Sequence, residues 1–184
     1  MARKVLGKTL VRVVGGRRLS GTIVEVEAYR GPKDPASHAF RGRTARNEVM
    51  FGEPGRAYVY FSYGFHQCLN LTCEPYGTPA AVLVRALEPL EGIDEMERNR
   101  GTSLLHELAS GPGKLTQALA ITADFNGEDL TTSDRLFLEE GREVVSVGTS
   151  SRIGITRGME RRWRFFVKGN EFVSRKRPST AQNP

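Results

Sequence analysis

Apolar residues in the first half of the chain occur in short runs that predict β-strands. Thr9–Val14 and Thr22–Tyr29 flank Gly15 and Gly16, a pattern typical of a β-hairpin because glycine readily adopts the positive φ angles of a tight turn. Further strands are predicted at Ala57–Tyr63, His66–Cys73 and Ala80–Leu87. These runs follow one another closely, which favours antiparallel pairing.

Helical patterns come later in the chain. Glu91–Arg100 begins with acidic and ends with basic residues, as the helix dipole prefers, and Leu115–Ile121 follows Ser110, a candidate N-cap. Short strands are predicted again at Val144–Val147, Arg152–Thr156 and Arg164–Val167. We therefore predict an α+β fold, a single domain over residues 1–177 around a curved, largely antiparallel β-sheet, with a polar tail at 178–184.

Composition narrows the class of protein. The chain has 184 residues, of which 39% are hydrophobic and 26% are charged, as in ordinary globular domains. No apolar run approaches the roughly 18 residues of a membrane helix, and the N-terminus does not resemble a secretion signal, so we expect no membrane association. Cys68 and Cys73 are too few for a disulfide scaffold, which favours a reducing, cytoplasmic setting.

Charge is unevenly distributed along the chain. Residues 1–50 carry 11 Lys or Arg against 4 Asp or Glu, residues 51–150 carry 7 against 15, and residues 151–184 carry 9 against 2. Two basic ends therefore flank an acidic middle within a net charge of +6. The ends either fold together into one phosphate-binding face or are simply solvated, and charge alone does not decide between these alternatives.

One predicted strand combines carboxylates with an aromatic residue. Alternation places Val24 and Val26 on one face, and Ile23, Glu25, Glu27 and Tyr29 on the other. A carboxylate beside an aromatic side chain suits a general base next to a stacking surface. Taken alone, however, a solvated strand face is the commoner explanation.

The polar loop after this strand contains His38 together with Arg41, Arg43 and Arg46. These arginines give the loop a local capacity to bind phosphate. A single loop histidine is usually unremarkable, and His38 becomes a candidate only because the preceding strand brings Glu27 and Tyr29 to the start of the loop.

Aromatic residues are concentrated in the second predicted hairpin. Tyr58 and Tyr60 share one face of its first strand, and Tyr63 and Phe65 flank Gly64 at the turn. A buried aromatic strand explains the first pair. Aromatic residues at a turn are harder to bury, and minor-groove proteins insert apolar wedges of this kind between bases.

Two polar residues lie within the apolar strands that follow. Asn70 alternates with Leu69 and Leu71, so it is either a recognition amide or a satisfied polar group. Arg85 lies inside an apolar run and must meet a carboxylate or a ligand, because arginine is almost never buried without a partner.

Taken together, the segments VEVEAY, RTARNEVMF, AYVYFSYG, LVRALEPLEG and SGPGKLTQAL, with His38 and Asn70, resemble the alkyladenine (3-methyladenine) DNA glycosylase family. The match runs in order from about Arg3 to Ser174. It implies a single mixed α/β domain, a protruding β-hairpin that enters the DNA minor groove, and a monomeric enzyme of base excision repair in the cytoplasm, associated with the nucleoid. The chain departs from the family pattern at Phe65 and Gln67, near the tip of that hairpin.

The resemblance also implies a role for each matching residue. It implies that Glu27 is the general base that activates water, that Arg85 lies beside it, and that Tyr63 fills the gap in the duplex. The flipped base would then stack between Tyr29 on one side and His38 and Tyr60 on the other, with Asn70 disfavouring guanine.

The implied activity is a monofunctional hydrolase that flips alkylated or deaminated purines out of double-stranded DNA and cuts the N-glycosidic bond. We expect no metal and no cofactor. Two other functions stay open at this point. A non-catalytic nucleic-acid binder accounts for the charge and the aromatic residues but not for Glu27. A nucleoside or sugar hydrolase accounts for Glu27 but not for the basic ends and Tyr63.

Overall fold

The computed structural model describes residues 1–62 and 66–174 of the chain. Within these residues it contains eight strands and four short α-helices, with 3₁₀ turns between some of them. The strands are β1 (Thr9–Val14), β2 (Arg17–Tyr29), β3 (Ala57–Ser62), β4 (His66–Thr72), β5 (Ala81–Glu91), β6 (Leu136–Glu139), β7 (Val147–Ser150) and β8 (Arg164–Val167). The helices are α1 (Ala2–Val5), α2 (Ile93–Arg100), α3 (Leu105–Leu108) and α4 (Pro112–Ala118).

The strands form one antiparallel sheet in the order β3-β4-β5-β2-β1-β6, and β8 joins β2 to β7. Strand β2 is the longest, and it pairs with β5 on one side and with both β1 and β8 on the other. Helices α2 and α4 contribute Met96, Leu115 and Ala118 to the main hydrophobic core, where all three are fully buried. This is the predicted α+β fold around a curved antiparallel sheet.

No helix in the described part of the chain is both long and apolar enough to cross a membrane.

The first predicted hairpin is confirmed. Gly15 and Gly16 adopt φ angles of +55° and +78° in the turn between β1 and β2. Strands β3 and β4 pair antiparallel up to Ser62 opposite His66. Residues 63–65, with the predicted intercalating Tyr63, lie outside the described residues, so the prediction that this hairpin inserts into DNA stays a prediction.

The predicted faces of β2 are partly wrong. Ile23 does not share a face with Glu25 and Glu27 but packs with Val26 in the main core, whereas Val24 belongs to a separate cluster. The cause is a change of register against β5 between Ile23 and Glu25 and again between Glu25 and Val26. A β-bulge adds a residue on one strand and thereby reverses the alternation of its side chains. The solvated-face interpretation is also wrong, since Glu25 and Glu27 are both fully buried.

Three local predictions need correction. The residues 152–156 form no strand, because the backbone N–H of Ile153 donates to the Glu27 side chain rather than to a neighbouring strand. Strand β7 begins only at Val147. Helix α4 has Gly111 as its N-cap and no side-chain capping bond, so Ser110 is not its cap.

Candidate active site

A cavity of about 420 Å³ opens between the sheet and the loops that follow β2 and β7. It is lined by five of the residues singled out from the sequence, namely Tyr29, His38, Tyr60, Asn70 and Arg85. Glu27 lies beside it, with its Oε2 atom 2.9 Å from the Tyr29 hydroxyl. Six of the seven predicted site residues are therefore brought together, and the seventh, Tyr63, lies outside the described residues.

Glu27 is a fully buried carboxylate with donors on both of its oxygens. Its Oε1 accepts the backbone N–H of Ile153 at 2.7 Å. Its Oε2 accepts the Tyr29 hydroxyl and the Arg85 Nη1 atom, the latter at 3.3 Å. Because a buried charge is tolerated only when it is paired and hydrogen-bonded, these contacts account for a carboxylate at this position. All three donors line the cavity, so the carboxylate lies directly behind the cavity wall.

Arg85 meets the carboxylate partners that its position in an apolar strand requires. Its Nε atom donates to Oε1 of Glu25 at 2.9 Å, and its Nη1 atom faces Glu27. Burial lowers the pKa of Arg85, but the charges of Glu27 and Glu25 outweigh this effect and raise the pKa above its ordinary value. Arg85 is therefore a permanent cation at the cavity wall.

Glu25 is the buried carboxylate that links Arg85 to the rest of the hydrogen-bond network. Its carboxylate also accepts from Arg164 Nε at 2.6 Å and from the backbone N–H and hydroxyl of Ser174. In the sequence, Glu25 is distinguished only as a neighbour of Glu27 on the same strand face. Its partners Arg164 and Ser174 are more than a hundred residues away in the chain, and no local sequence pattern predicts those contacts.

The aromatic wall of the cavity is a cluster of His38, Tyr58 and Tyr60. His38 Nδ1 lies 2.8 Å from the Tyr58 hydroxyl, and the rings of His38 and Tyr60 meet edge-on with centroids 4.4 Å apart. Burial, and secondarily the charge of Arg46, lower the pKa of His38. Burial raises the pKa of Tyr58 to about 12 and also raises that of Tyr60. These rings are therefore uncharged near neutral pH.

Tyr58 is a site residue that the sequence analysis did not select. It is 1% exposed, lines the cavity and orients His38. The sequence signal that could have found it is strand alternation, which places Tyr58 on the same face as Tyr60. Asn70, opposite Tyr58 in the β3–β4 register, donates from Nδ2 to the Tyr58 carbonyl at 3.1 Å. That bond fixes the orientation of the Asn70 amide in the cavity wall.

A buried ion pair between Asp34 and Arg152 was also missed. Arg152 Nη1 and Nη2 donate to the two oxygens of Asp34 at 2.5 and 2.8 Å, and neither side chain has exposed surface. The pair ties the loop after β2 to the loop after β7, which places Ile153 against Glu27. The two residues are 118 positions apart in the chain, so sequence spacing carries no sign of the pair.

Of the three loop arginines, Arg46 lines the cavity. Its Nη2 donates to the carbonyl of Phe61 at 3.0 Å, and its guanidinium lies 5.5 Å from the centre of the Tyr60 ring. Arg43 instead pairs with Glu48 at 3.4 Å. Among the described residues, no three His, Cys, Asp or Glu side chains converge in a way that would hold a metal ion.

Comparison with known proteins identifies the family of the chain that carries this site. The family model described as methylpurine-DNA glycosylase matches residues 1–171. The chain belongs to the methylpurine-DNA glycosylase family. A protein of Chlorobium phaeovibrioides, provisionally named a 3-methyladenine DNA glycosylase, is 51% identical over 97% of this chain and 92% of its own length. A protein of Carboxydothermus hydrogenoformans with the same name is 49% identical over 96% of this chain and 93% of its own length.

Family membership confirms the resemblance drawn from the sequence motifs. The chain is a DNA glycosylase, a hydrolase that acts on N-glycosyl bonds in DNA during DNA repair. This result favours an enzyme over a non-catalytic nucleic-acid binder, and DNA over a free nucleoside as its substrate.

Proposed function

We propose that this enzyme rotates a damaged purine out of double-stranded DNA into the cavity and hydrolyses its N-glycosidic bond with a water activated by Glu27. The proposed substrates are 3-methyladenine, other alkylated purines and the deaminated purine hypoxanthine. The observation that carries the proposal is the position of Glu27, a buried carboxylate held by three donors at the edge of an aromatic cavity. A free nucleoside hydrolase would have no need of the basic ends of the chain.

The proposed chemistry follows from the charge that develops during bond cleavage. As the purine leaves, positive charge accumulates on the sugar, and a nearby carboxylate both stabilises it and removes a proton from the attacking water. Glu27 is assigned both roles. Arg85 and the Ile153 N–H orient its oxygens, since each donates to one of them.

The aromatic lining suits a planar base. We assign Tyr29 to one side of the flipped purine, and His38 and Tyr60 to the other. A cationic alkylpurine gains roughly 0.5–2 kcal/mol from an aromatic face, which favours damaged bases over ordinary ones. The Asn70 amide, held by the Tyr58 carbonyl, is assigned to disfavour the exocyclic amine of guanine.

The enzyme is proposed to leave the sugar–phosphate backbone intact. Enzymes that also cut the strand commonly use an amine to form a covalent intermediate with the sugar. Among the described residues that line the cavity there is no lysine, which supports direct hydrolysis by water. After reaction, strand breaks should therefore form only when the abasic product is treated with alkali.

The central experiment measures the release of free base from duplexes that each carry one lesion. We expect the wild-type protein to release 3-methyladenine, 7-methylguanine and hypoxanthine from these duplexes under single-turnover conditions, and to leave an undamaged duplex unchanged. Specific binding to the lesion duplexes without any base release would instead support the non-catalytic alternative. Equal release from free nucleosides would support a small-molecule hydrolase.

Binding to undamaged duplex should depend steeply on salt. The basic ends carry charge that can replace counterions on DNA, so affinity should fall by about 0.9 log units per phosphate contact for each tenfold rise in salt. Fluorescence anisotropy at increasing salt concentrations measures the slope. An affinity that does not change between low and physiological ionic strength would count against the proposed DNA contact.

Tyr63→Ala should slow excision by weakening base flipping rather than chemistry. Unstacking a base costs a few kcal/mol, and a side chain that fills the vacated space offsets that cost. We expect slower base release from fully paired duplexes and a smaller defect at mismatched lesions, where less stacking is lost. Phe61→Ala is a control because Phe61 is an exposed aromatic residue of β3. Equal defects on both substrates, or a large drop in melting temperature, would contradict the proposal.

A further inference from the structure

The ring of Tyr29 has a buried cation against it. The guanidinium carbon of Arg152 lies 4.6 Å from the centre of the Tyr29 ring, within the range of a cation–π contact. The Arg152 side chain has no exposed surface and is not part of the cavity wall, whereas Tyr29 is. Because Arg152 lies against the Tyr29 ring but does not line the cavity, a base stacked on Tyr29 would share that ring with the guanidinium without touching it.

Arg152 is held firmly in this position. Its two terminal nitrogens bind Asp34, and Nη1 also donates to the carbonyl of Ala28, the residue before Tyr29. Its guanidinium also lies 5.3 Å from the ring centre of Trp163. The guanidinium thus combines a buried ion pair with two neighbouring rings, and it cannot leave Tyr29 without breaking that ion pair.

The electrostatic consequence concerns the charge of the base that stacks on Tyr29. The negative potential of an aromatic face attracts a cation, and a cation already placed behind the ring weakens that attraction. Arg152 contributes directly to the electrostatics of Tyr29, because it acts to lower a pKa that burial and Glu27 raise. Asp34 offsets part of the Arg152 charge, and its own pKa is lowered by that contact although burial acts to raise it.

We propose that the Asp34–Arg152 pair is a specificity-determining element that sets how strongly the site prefers cationic over neutral damaged purines. This inference rests on the proposed function, in which Tyr29 stacks on the base. Neither residue touches the base, so both are positioning residues that act through the Tyr29 ring. Partial neutralisation by Asp34 would then let a single site bind both a cationic alkylpurine and a neutral purine such as hypoxanthine.

The two halves of the pair can be removed separately. Asp34→Asn leaves an unpaired positive charge behind Tyr29, and Arg152→Gln removes that charge. Dissociation constants are measured at mildly acidic pH for two duplexes that carry uncleavable 2′-fluorinated nucleotides, one with cationic 7-methylguanine and one with neutral hypoxanthine. The readout is the preference ratio, defined as the affinity for the cationic duplex divided by that for the neutral duplex.

The two substitutions should change the preference ratio in opposite directions. We expect Asp34→Asn to lower it and Arg152→Gln to raise it, each by about threefold or more, as befits a desolvated cation–π contact. Both substitutions break the same ion pair, so a purely structural role predicts equal losses on both duplexes and no opposite change. Ratios that stay constant or move in the same direction would overturn the inference.

A conservative variant covers the case in which these substitutions prevent folding. Arg152→Lys keeps the charge and the ion pair, but it replaces the planar guanidinium by a compact ammonium that cannot lie flat against the ring. Because the charge behind the ring is retained, we expect a preference ratio close to that of the wild-type protein, and a ratio changed by about threefold or more would overturn the inference. Failure of the proposed function has a different signature, since wild-type protein would then bind both lesion duplexes no better than undamaged DNA.

Discussion

Glu27→Gln is expected to retain the fold and the affinity for lesion duplex but to lose almost all base release. Loss of a general base typically costs about 10²–10⁴-fold in rate, and loss of the negative charge beside the cationic sugar should deepen the defect. The fold should survive because glutamine has nearly the same shape and because Arg85 keeps Glu25 as its carboxylate partner. Single-turnover excision and binding to an uncleavable lesion duplex measure the two effects separately.

A matched control separates chemistry from the general effect of losing one negative charge from the protein. Glu143→Gln makes the same change at an exposed position, and it should leave the excision rate close to that of the wild-type protein. If Glu27→Gln retained more than about a tenth of the wild-type single-turnover rate, the range expected for loss of a general base would not be met. Glu27 would then have to be abandoned as the catalytic base.

The elements around the site could be predicted because their signals are local. A glycine pair marks the first turn, and apolar alternation in β4 correctly placed Asn70 opposite Leu69 and Leu71, which belong to the main core. Alternation also placed Glu27 and Tyr29 on one side of β2, and their hydrogen bond confirms this. Arg85 was predicted on physical grounds alone to meet a carboxylate or a ligand, and it meets two carboxylates.

The features that could not be predicted depend on pairing between distant parts of the chain. The β-bulge in β2 arises from its register against β5, and it moved Ile23 into the main core. The Asp34–Arg152 pair joins two loops, and Glu25 gathers Arg85, Arg164 and Ser174 from three different parts of the chain. The sequence around each of these residues does not indicate its partner, because the two come together only in the folded chain.

Arg85→Gln is expected to destabilise the protein as strongly as a major core substitution. Arg85 lies between two carboxylates that have no exposed surface, and removing one partner of a buried ion pair typically costs about 3–5 kcal/mol of unfolding free energy. Glu25 keeps Arg164 and Ser174, so most of the cost should come from Glu27, which would have only the Tyr29 hydroxyl and the Ile153 N–H. Urea denaturation monitored by tryptophan fluorescence and circular dichroism measures the change.

Two comparisons test whether the buried charge is the cause. Arg98→Gln removes an arginine from exposed ion pairs with Asp94 and Glu95, and it should cost far less because such pairs are screened by water. The double variant Glu27→Gln/Arg85→Gln removes both members of the buried pair, so its loss should be smaller than the sum of the two single losses. Additive losses would show that Glu27 and Arg85 do not interact, and the network that holds the Glu27 carboxylate would have to be reassigned.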